Sequence, residues 1–323
     1  MKIRRMIGHV VRWLAAAALC GATGGRILGV DRSADGLRPT RLYAIVSAST
    51  LGNLNRNDLR AAMKAWFDTM ARQKGFLLDS KVDFADSVAQ MRERLESRSA
   101  DVLVVGVPDY LELEGTRLVV AAFTHGMGTQ GEAHYSYLLL VNSSSGASDI
   151  GSLRGKRILT FSRGGWNAGA AWLDVLLNQE KLGRAASFFS SVKPAPTGQA
   201  CILPVFFGTA DACVVDEINF DLAKEMNPQL GRLRVVVRSH PLIESLIVLP
   251  TQPHPYQKEL FDTLLTLQDD PRGRQLLMVF KIDRLVPVPA KDLDSARELW
   301  REFSRLPGGA PRAATSGTAE RED

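Results

Sequence analysis

Residues Asp101–Val107, Asp-Val-Leu-Val-Val-Gly-Val, make a near-continuous apolar strand, with no alternating polar residue to face water. Such a run is buried on both faces, which is the mark of a parallel sheet in an α/β fold. The segments around it alternate in kind. Leu42–Val46, Lys81–Phe84, Arg117–Phe123, Tyr135–Val141, Arg157–Phe161, Ser187–Val192, Ala212–Val215 and Leu233–Arg238 read as strands. Between them lie helical patterns. Asn57/Asp58 are expected to cap a helix through about Lys74 whose Met63, Trp66, Phe67 and Met70 share one face as core. Asp86/Ser87 cap a second helix, and helices are expected near Gln199–Phe207, Gln257–Gln268, Pro271–Val279 and Asp292–Arg305.

The chain opens with a leader-like segment. Lys2, Arg4 and Arg5 precede the mostly apolar, alanine-rich Val10–Ala18, and Cys20-Gly21-Ala22 ends in small residues suited to a signal peptidase. Residues 1–22 are therefore expected to be a signal peptide, with an uncleaved membrane anchor as the alternative, and 23–39 a linker. Removing Lys2, Arg4, Arg5 and Arg12 leaves 36 basic residues against 35 acidic, so the basic balance belongs largely to the leader. A near-neutral remainder argues against nucleic-acid binding, which wants Lys and Arg clustered on one face. Two cysteines remain, Cys201 and Cys213, both in apolar surroundings. They are read either as a disulfide formed in an oxidising compartment or as two buried thiols. Leu306–Asp323, rich in Gly, Pro, Ala and charge, is expected to be a disordered tail.

The segment 153–177 reads as strand, glycine loop and helix. After Arg157–Phe161, the loop Ser162-Arg163-Gly164-Gly165-Trp166-Asn167 supplies a hydroxyl, a guanidinium and two glycines just before a helical apolar pattern. A helix entered in this way presents unpaired N–H groups and the positive end of its dipole, a device for holding an anion. An ordinary strand-to-helix turn that needs its glycines only for geometry is the other reading. Arg163 suits a bidentate fork to a carboxylate, sulfonate or phosphonate, and Trp166 suits stacking on a planar or cationic group. The loop matches neither dinucleotide nor P-loop spacing.

Leu153 with Gly155-Lys156-Arg157-Ile158-Leu159, and Gly208-Thr209-Ala210-Asp211-Ala212 entering a strand, resemble the landmarks of type II solute-binding proteins. Arg238-Ser239-His240-Pro241 before Leu246–Leu249 is similar to that family's return strand. Asp270–Leu277, then Pro287-Val288-Pro289 with Asp292–Arg297, resemble the closing segment of its phosphate/phosphite/phosphonate-binding branch, called PhnD-like. The resemblance implies a bilobed type II periplasmic-binding-protein fold, α/β, with two mixed-sheet lobes joined by two hinge strands. Residues 40–130 and 243–305 would form lobe one and 131–242 lobe two. It further implies a periplasmic monomer that captures a small anion between its lobes and delivers it to an ABC permease. A sensing subunit for a membrane kinase, or a transferase on the same fold, are the alternatives. Phosphonate binders usually place a Ser/Thr-rich run where this chain has Ser162–Asn167, so the resemblance leaves the solute open.

Further candidates come from strand ends, because ligands of α/β sheets bind beyond the strands' carboxyl ends. Ser47, Ser49 and Thr50 follow the first strand, solvated turn residues being their other reading, and Asp109 and Tyr110 follow Asp101–Val107, where a simple turn at Pro108 is the other reading. His125 sits where a hinge is expected, a structural histidine being its other reading, and Asp216 and Asn219 follow Ala212–Val215. The resemblance gives Asp216 the role of a carboxylate meeting a ligand amine; helix capping is its other reading. His125, His134, His240 and His254 have no metal-binding spacing, and no Gly-x-Ser-x-Gly elbow is present. No cofactor, metal or catalytic residue is expected. Expressed in a Gram-negative host, the protein should be recovered from the periplasm with an intact mass that places its N-terminus near Thr23; a chain still beginning at Met1 would refute the leader reading.

Overall fold

The computed structural model describes residues 36–51, 54–126, 133–161, 166–252, 256–280 and 282–309. The expected leader, most of the linker, Ser162, Arg163 and most of the expected tail lie outside the described residues.

Two mixed sheets organise the chain. The first runs β11-β4-β10-β3-β1-β2, built from β1 (Arg38–Ser47), β2 (Phe76–Ala85), β3 (Val102–Gly106), β4 (Val119–Gly126), β10 (Ser245–Pro250) and β11 (Arg284–Pro287). The second runs β7-β6-β8-β5-β9, built from β5 (Tyr137–Asn142), β6 (Arg157–Thr160), β7 (Ser191–Pro194), β8 (Ala212–Asp216) and β9 (Leu233–Arg238). β1 is parallel to β2 and β3, and β6 is parallel to β7 and β8. In each sheet the remaining pairings are antiparallel: β10 joins β3 to β4, and β5 joins β8 to β9.

Burial on both faces holds for the strands that predicted it. Along β1, Leu42, Ala44 and Val46 enter one apolar cluster while Ile45 enters another. Along β5, Leu138 and Leu140 face one cluster and Tyr137, Leu139 and Val141 the other, all five at 1 % exposure or less. Helices cover the faces: α1 (Arg56–Gln73), α2 (Val88–Glu96), α3 (Val107–Glu114), α4 (Ala168–Gln179), α5 (Ala185–Phe188), α6 (Gly198–Phe206), α7 (Glu217–Met226), α8 (Gln257–Leu265), α9 (Pro271–Phe280) and α10 (Asp294–Arg305).

Local details differ from the sequence reading where side-chain chemistry decides. The cap of α1 is Asn55, whose side chain accepts from the N–H groups of Asn57 and Asp58; those two residues sit inside the first turn. Pro108 opens α3 instead of making a turn, since proline at the first helical positions costs no hydrogen bond. Residues 185–188 form the short α5, so β7 begins only at Ser191. Cys201 and Cys213 stand as free, buried thiols rather than as a disulfide. The Cys201 thiol donates to the Val214 carbonyl at 3.3 Å, and burial pushes the Cys213 thiol upward.

The chain crosses between the sheets from β4 to β5 and again from β9 to β10. The two crossings meet at an antiparallel bridge between Tyr135 and Leu242. A third tie comes from α10, which sequence reading places with lobe one. Its Arg297 pairs with Glu114 of α3 at 2.7 Å, while Trp300 meets Trp166 edge to face at 6.0 Å and Glu302 accepts from Gln179 of α4 at 2.7 Å. It therefore bridges both lobes. Leu140→Ala should lower unfolding free energy by about 2–5 kcal/mol, as for buried large-to-small changes. Leu222→Ala, on the half-exposed face of α7, should cost under about 0.5 kcal/mol; urea titrations of both variants measure the difference.

Candidate functional site

Parallel strands followed by helices put every strand-to-helix junction at the strands' carboxyl edge. In the first sheet β1 runs into the 3-10 turn Ala48–Thr50 and β3 into α3; in the second, β6, β7 and β8 lead to α4, α6 and α7. Junctions from both sheets line one cavity of about 500 Å³ between the lobes. Ser49, Thr50 and Gly106 come from the first sheet, Trp166, Thr197, Gly198 and Asn219 from the second, and Thr124, His125, Glu244 and Ser245 from the hinge-proximal ends of β4 and β10. The start of a helix carries N–H groups without intrahelical acceptors and partial positive charge, so this convergence favours an anion or a carbonyl-rich solute.

Each junction is fixed by its own hydrogen bonds. Ser47 caps the turn by accepting from Ser49 N at 3.2 Å, and its hydroxyl donates to Asp109 Oδ2 at 2.5 Å. The Ser49 hydroxyl donates to the same oxygen. Asp109 thus stands behind the two serines and sets their positions. Thr50 Oγ1 donates to the Ser47 carbonyl at 2.8 Å. In the other lobe, Thr197 caps α6 by accepting from Ala200 N at 3.1 Å. Asp216 Oδ1 accepts from Asn219 N at 2.9 Å, and its Oδ2 accepts from Asn219 Nδ2 at 2.6 Å, aligning the amide that reaches the cavity. Two glycines allow these side chains to approach: a Cβ on Gly106 would lie 2.9 Å from Ser49 Oγ, and one on Gly198 would lie 2.6 Å from the Asn219 side chain.

The hinge side holds the cavity's carboxylate. Glu244, 6 % exposed, accepts from Tyr135 Oη at 2.5 Å and from Tyr137 Oη. His125 Nδ1 lies 3.0 Å from Ser245 Oγ, and Thr124 Oγ1 donates to the Ser245 carbonyl at 2.8 Å. Among the described lining residues there is no lysine or arginine, so the donors they offer are hydroxyls, amides and an imidazole.

Of the residues singled out in the sequence, Ser49, Thr50, His125, Trp166 and Asn219 meet at the cavity. Ser47, Asp109 and Asp216 lie one layer behind, holding them. Asn167 is spent on the cap of α4, accepting from Ala170 N at 2.8 Å. Tyr110 leaves the cleft altogether: it is buried against α10's partner Glu114, to which its hydroxyl donates at 2.8 Å, and burial together with that carboxylate pushes its phenol upward. Sequence reasoning missed Gly106, Thr124, Thr197, Gly198, Glu244 and Ser245. The signals were faint: a Thr-Gly pair after a short strand, and an acid followed by a serine between the apolar pairs of Leu242-Ile243-Glu244-Ser245-Leu246-Ile247.

Comparison with known proteins agrees with this architecture. The family model described as "ABC transporter, phosphonate, periplasmic substrate-binding protein" matches residues 24–293. The chain belongs to that family. It is accordingly a substrate-binding subunit and not an enzyme, with a small ligand and an ABC permease as the family's partners. Among solved structures, XAC2383 from Xanthomonas citri bound to ATP is similar at a TM-score of 0.55 and 16% identity, covering 81% of this chain and 95% of that one. PhnD1 from Prochlorococcus marinus in complex with methylphosphonate gives 0.52 and 14%, covering 82% and 99%. A binding protein component of an ABC phosphonate transporter from Pseudomonas aeruginosa gives 0.50 and 13%, covering 81% and 86%. A sequence search of curated proteins finds no match. Among the described residues no group of His, Cys, Asp or Glu is arranged to hold a metal, and no helix is long and apolar enough to cross a membrane.

Gly198→Ala should push the Asn219 amide off its position against Asp216 and destabilise the fold by about 1–3 kcal/mol, the usual range for overpacking. Thermal unfolding and the amide resonance of Asn219 check this; an unmoved resonance with an unchanged Tm would refute the close-packed junction.

Proposed function

We propose that this protein captures a small oxyanion-bearing solute, phosphonate-like, sulfonate or carboxylate, in the cleft between its lobes and presents it, as a periplasmic monomer, to an ABC importer. The observation that carries the reading is the convergence of helix starts from both sheets on one cavity, with Ser49, Thr50, Thr197 and Asn219 at its wall. Methylphosphonate in the Prochlorococcus marinus relative supports it by kinship.

In this reading the solute docks on one lobe and draws the other over it. Donors held by caps and glycines need little rearrangement, so the cost of ordering them is met in folding and not in binding. The Tyr135–Leu242 crossing is the hinge, where a few residues absorb the backbone change. Arg163, from the loop before α4, supplies the full positive charge that the described wall does not, through a forked contact to the oxyanion. Trp166 closes the side of the cleft next to α10.

Calorimetric and melting titrations with methylphosphonate, methanesulfonate and acetate test the reading. The preferred anion should raise stability by about 2.7 kcal/mol at a concentration 100 times its dissociation constant. Arg163→Ala should weaken it roughly ten- to hundredfold, a charge-assisted contact of about 1.5–3 kcal/mol, at unchanged Tm of the free protein. Absence of any shift across the three anions would overturn the anion reading.

A further inference from the structure

The cavity does not stop at the polar junctions. It continues into the first lobe between the sheet and the helices that cover it, where its wall is Trp66 and Phe67 of α1, Ile247 of β10, Leu264 of α8, Leu277 of α9 and Leu285 of β11. Protein interiors are close-packed, and voids larger than a water molecule are few. Here residues that belong to the first lobe's own apolar cluster line open space continuous with the cleft. The whole volume of about 500 Å³ falls in the range of sites for sizeable organic ligands, about 300–1,000 Å³. An oxyanion bearing only a methyl group would fill the polar mouth and leave the inner end empty.

Apolar chambers of this kind exclude water and accept apolar guests.

We infer that the solute is an amphiphile: an oxyanion head at the helix starts of the cleft and an apolar tail of several carbons in the chamber beneath Trp66. The inference rests on the anion reading given under Proposed function and adds the tail. The chamber lies within one lobe, so tail binding does not depend on closure, whereas the head touches both lobes.

The test is a calorimetric series of methyl-, butyl- and octylphosphonate on the full mature chain, with 1-octanol as a headless probe. Affinity should rise roughly fourfold per methylene, the equivalent of about 0.8 kcal/mol, and by more than about a hundredfold from methyl to octyl. Leu264→Trp, which puts an indole ring into the chamber, should abolish that gain, and Val104→Phe, at another lining position on β3, serves if the first variant fails to fold. Equal affinities along the series would overturn the tail inference and leave the anion reading standing. Binding of 1-octanol with no binding of any phosphonate would support the chamber and overturn the anionic head. A chain-length gain that survives both folded variants would place the tail elsewhere and overturn the inference.

Discussion

The direction of the parallel strands is the constraint on which the rest depends. A parallel pair can be joined only by a crossover, and a crossover that packs back on the sheet is right-handed. With β1 and β3 parallel in one sheet and β6, β7 and β8 parallel in the other, all their strand-to-helix junctions fall on one edge of each sheet. The chain then sets those two edges against one another across the Tyr135–Leu242 crossing. Convergent helix starts follow from topology alone. What the sequence adds is local: side-chain caps from Ser47, Asn167, Thr197 and Asp216, and glycine at positions 106 and 198 so that neighbours can approach.

The buried carboxylate links this edge to the hinge. Glu244 lines the cavity, yet both phenols that hold it come from the hinge-side residues Tyr135 and Tyr137. Two O–H donors satisfy both oxygens of the carboxylate and fix its orientation at the wall. The same bonds tie the cleft wall to the crossing strands, so a change in hinge angle is felt at the wall through rigid tyrosine rings.

Much of this was legible. Continuous apolar runs such as Asp101–Val107 and Tyr135–Val141 specify burial on both faces, and residues directly after such strands land at the cleft, as Ser49, Thr50, His125 and Asn219 do. Tyr110 went astray because an expected turn is a helix. Successive helical residues point about 100° apart, so Asp109 reaches the serines while Tyr110 turns toward Glu114. Thr197 and Glu244 were hidden because their roles depend on which strand neighbours which, and a list of strands does not contain that order. The inner chamber was invisible for a different reason. Met63, Trp66 and Phe67 form an amphipathic stripe that reads the same whether its opposite wall touches it or stands back.

The bridging helix has a consequence for how the molecule is completed. Arg297 grips Glu114, 183 residues earlier, while Trp300 and Glu302 on the same helix hold the second lobe. A chain that emerges from its N-terminus can build both sheets and pair both crossings before this helix exists. Until then, among the described residues, the lobes are tied at the Tyr135–Leu242 crossing. The last of the described helices to be made is thus the piece that adds a tie between the lobes away from the crossing, on the side where Trp300 meets Trp166.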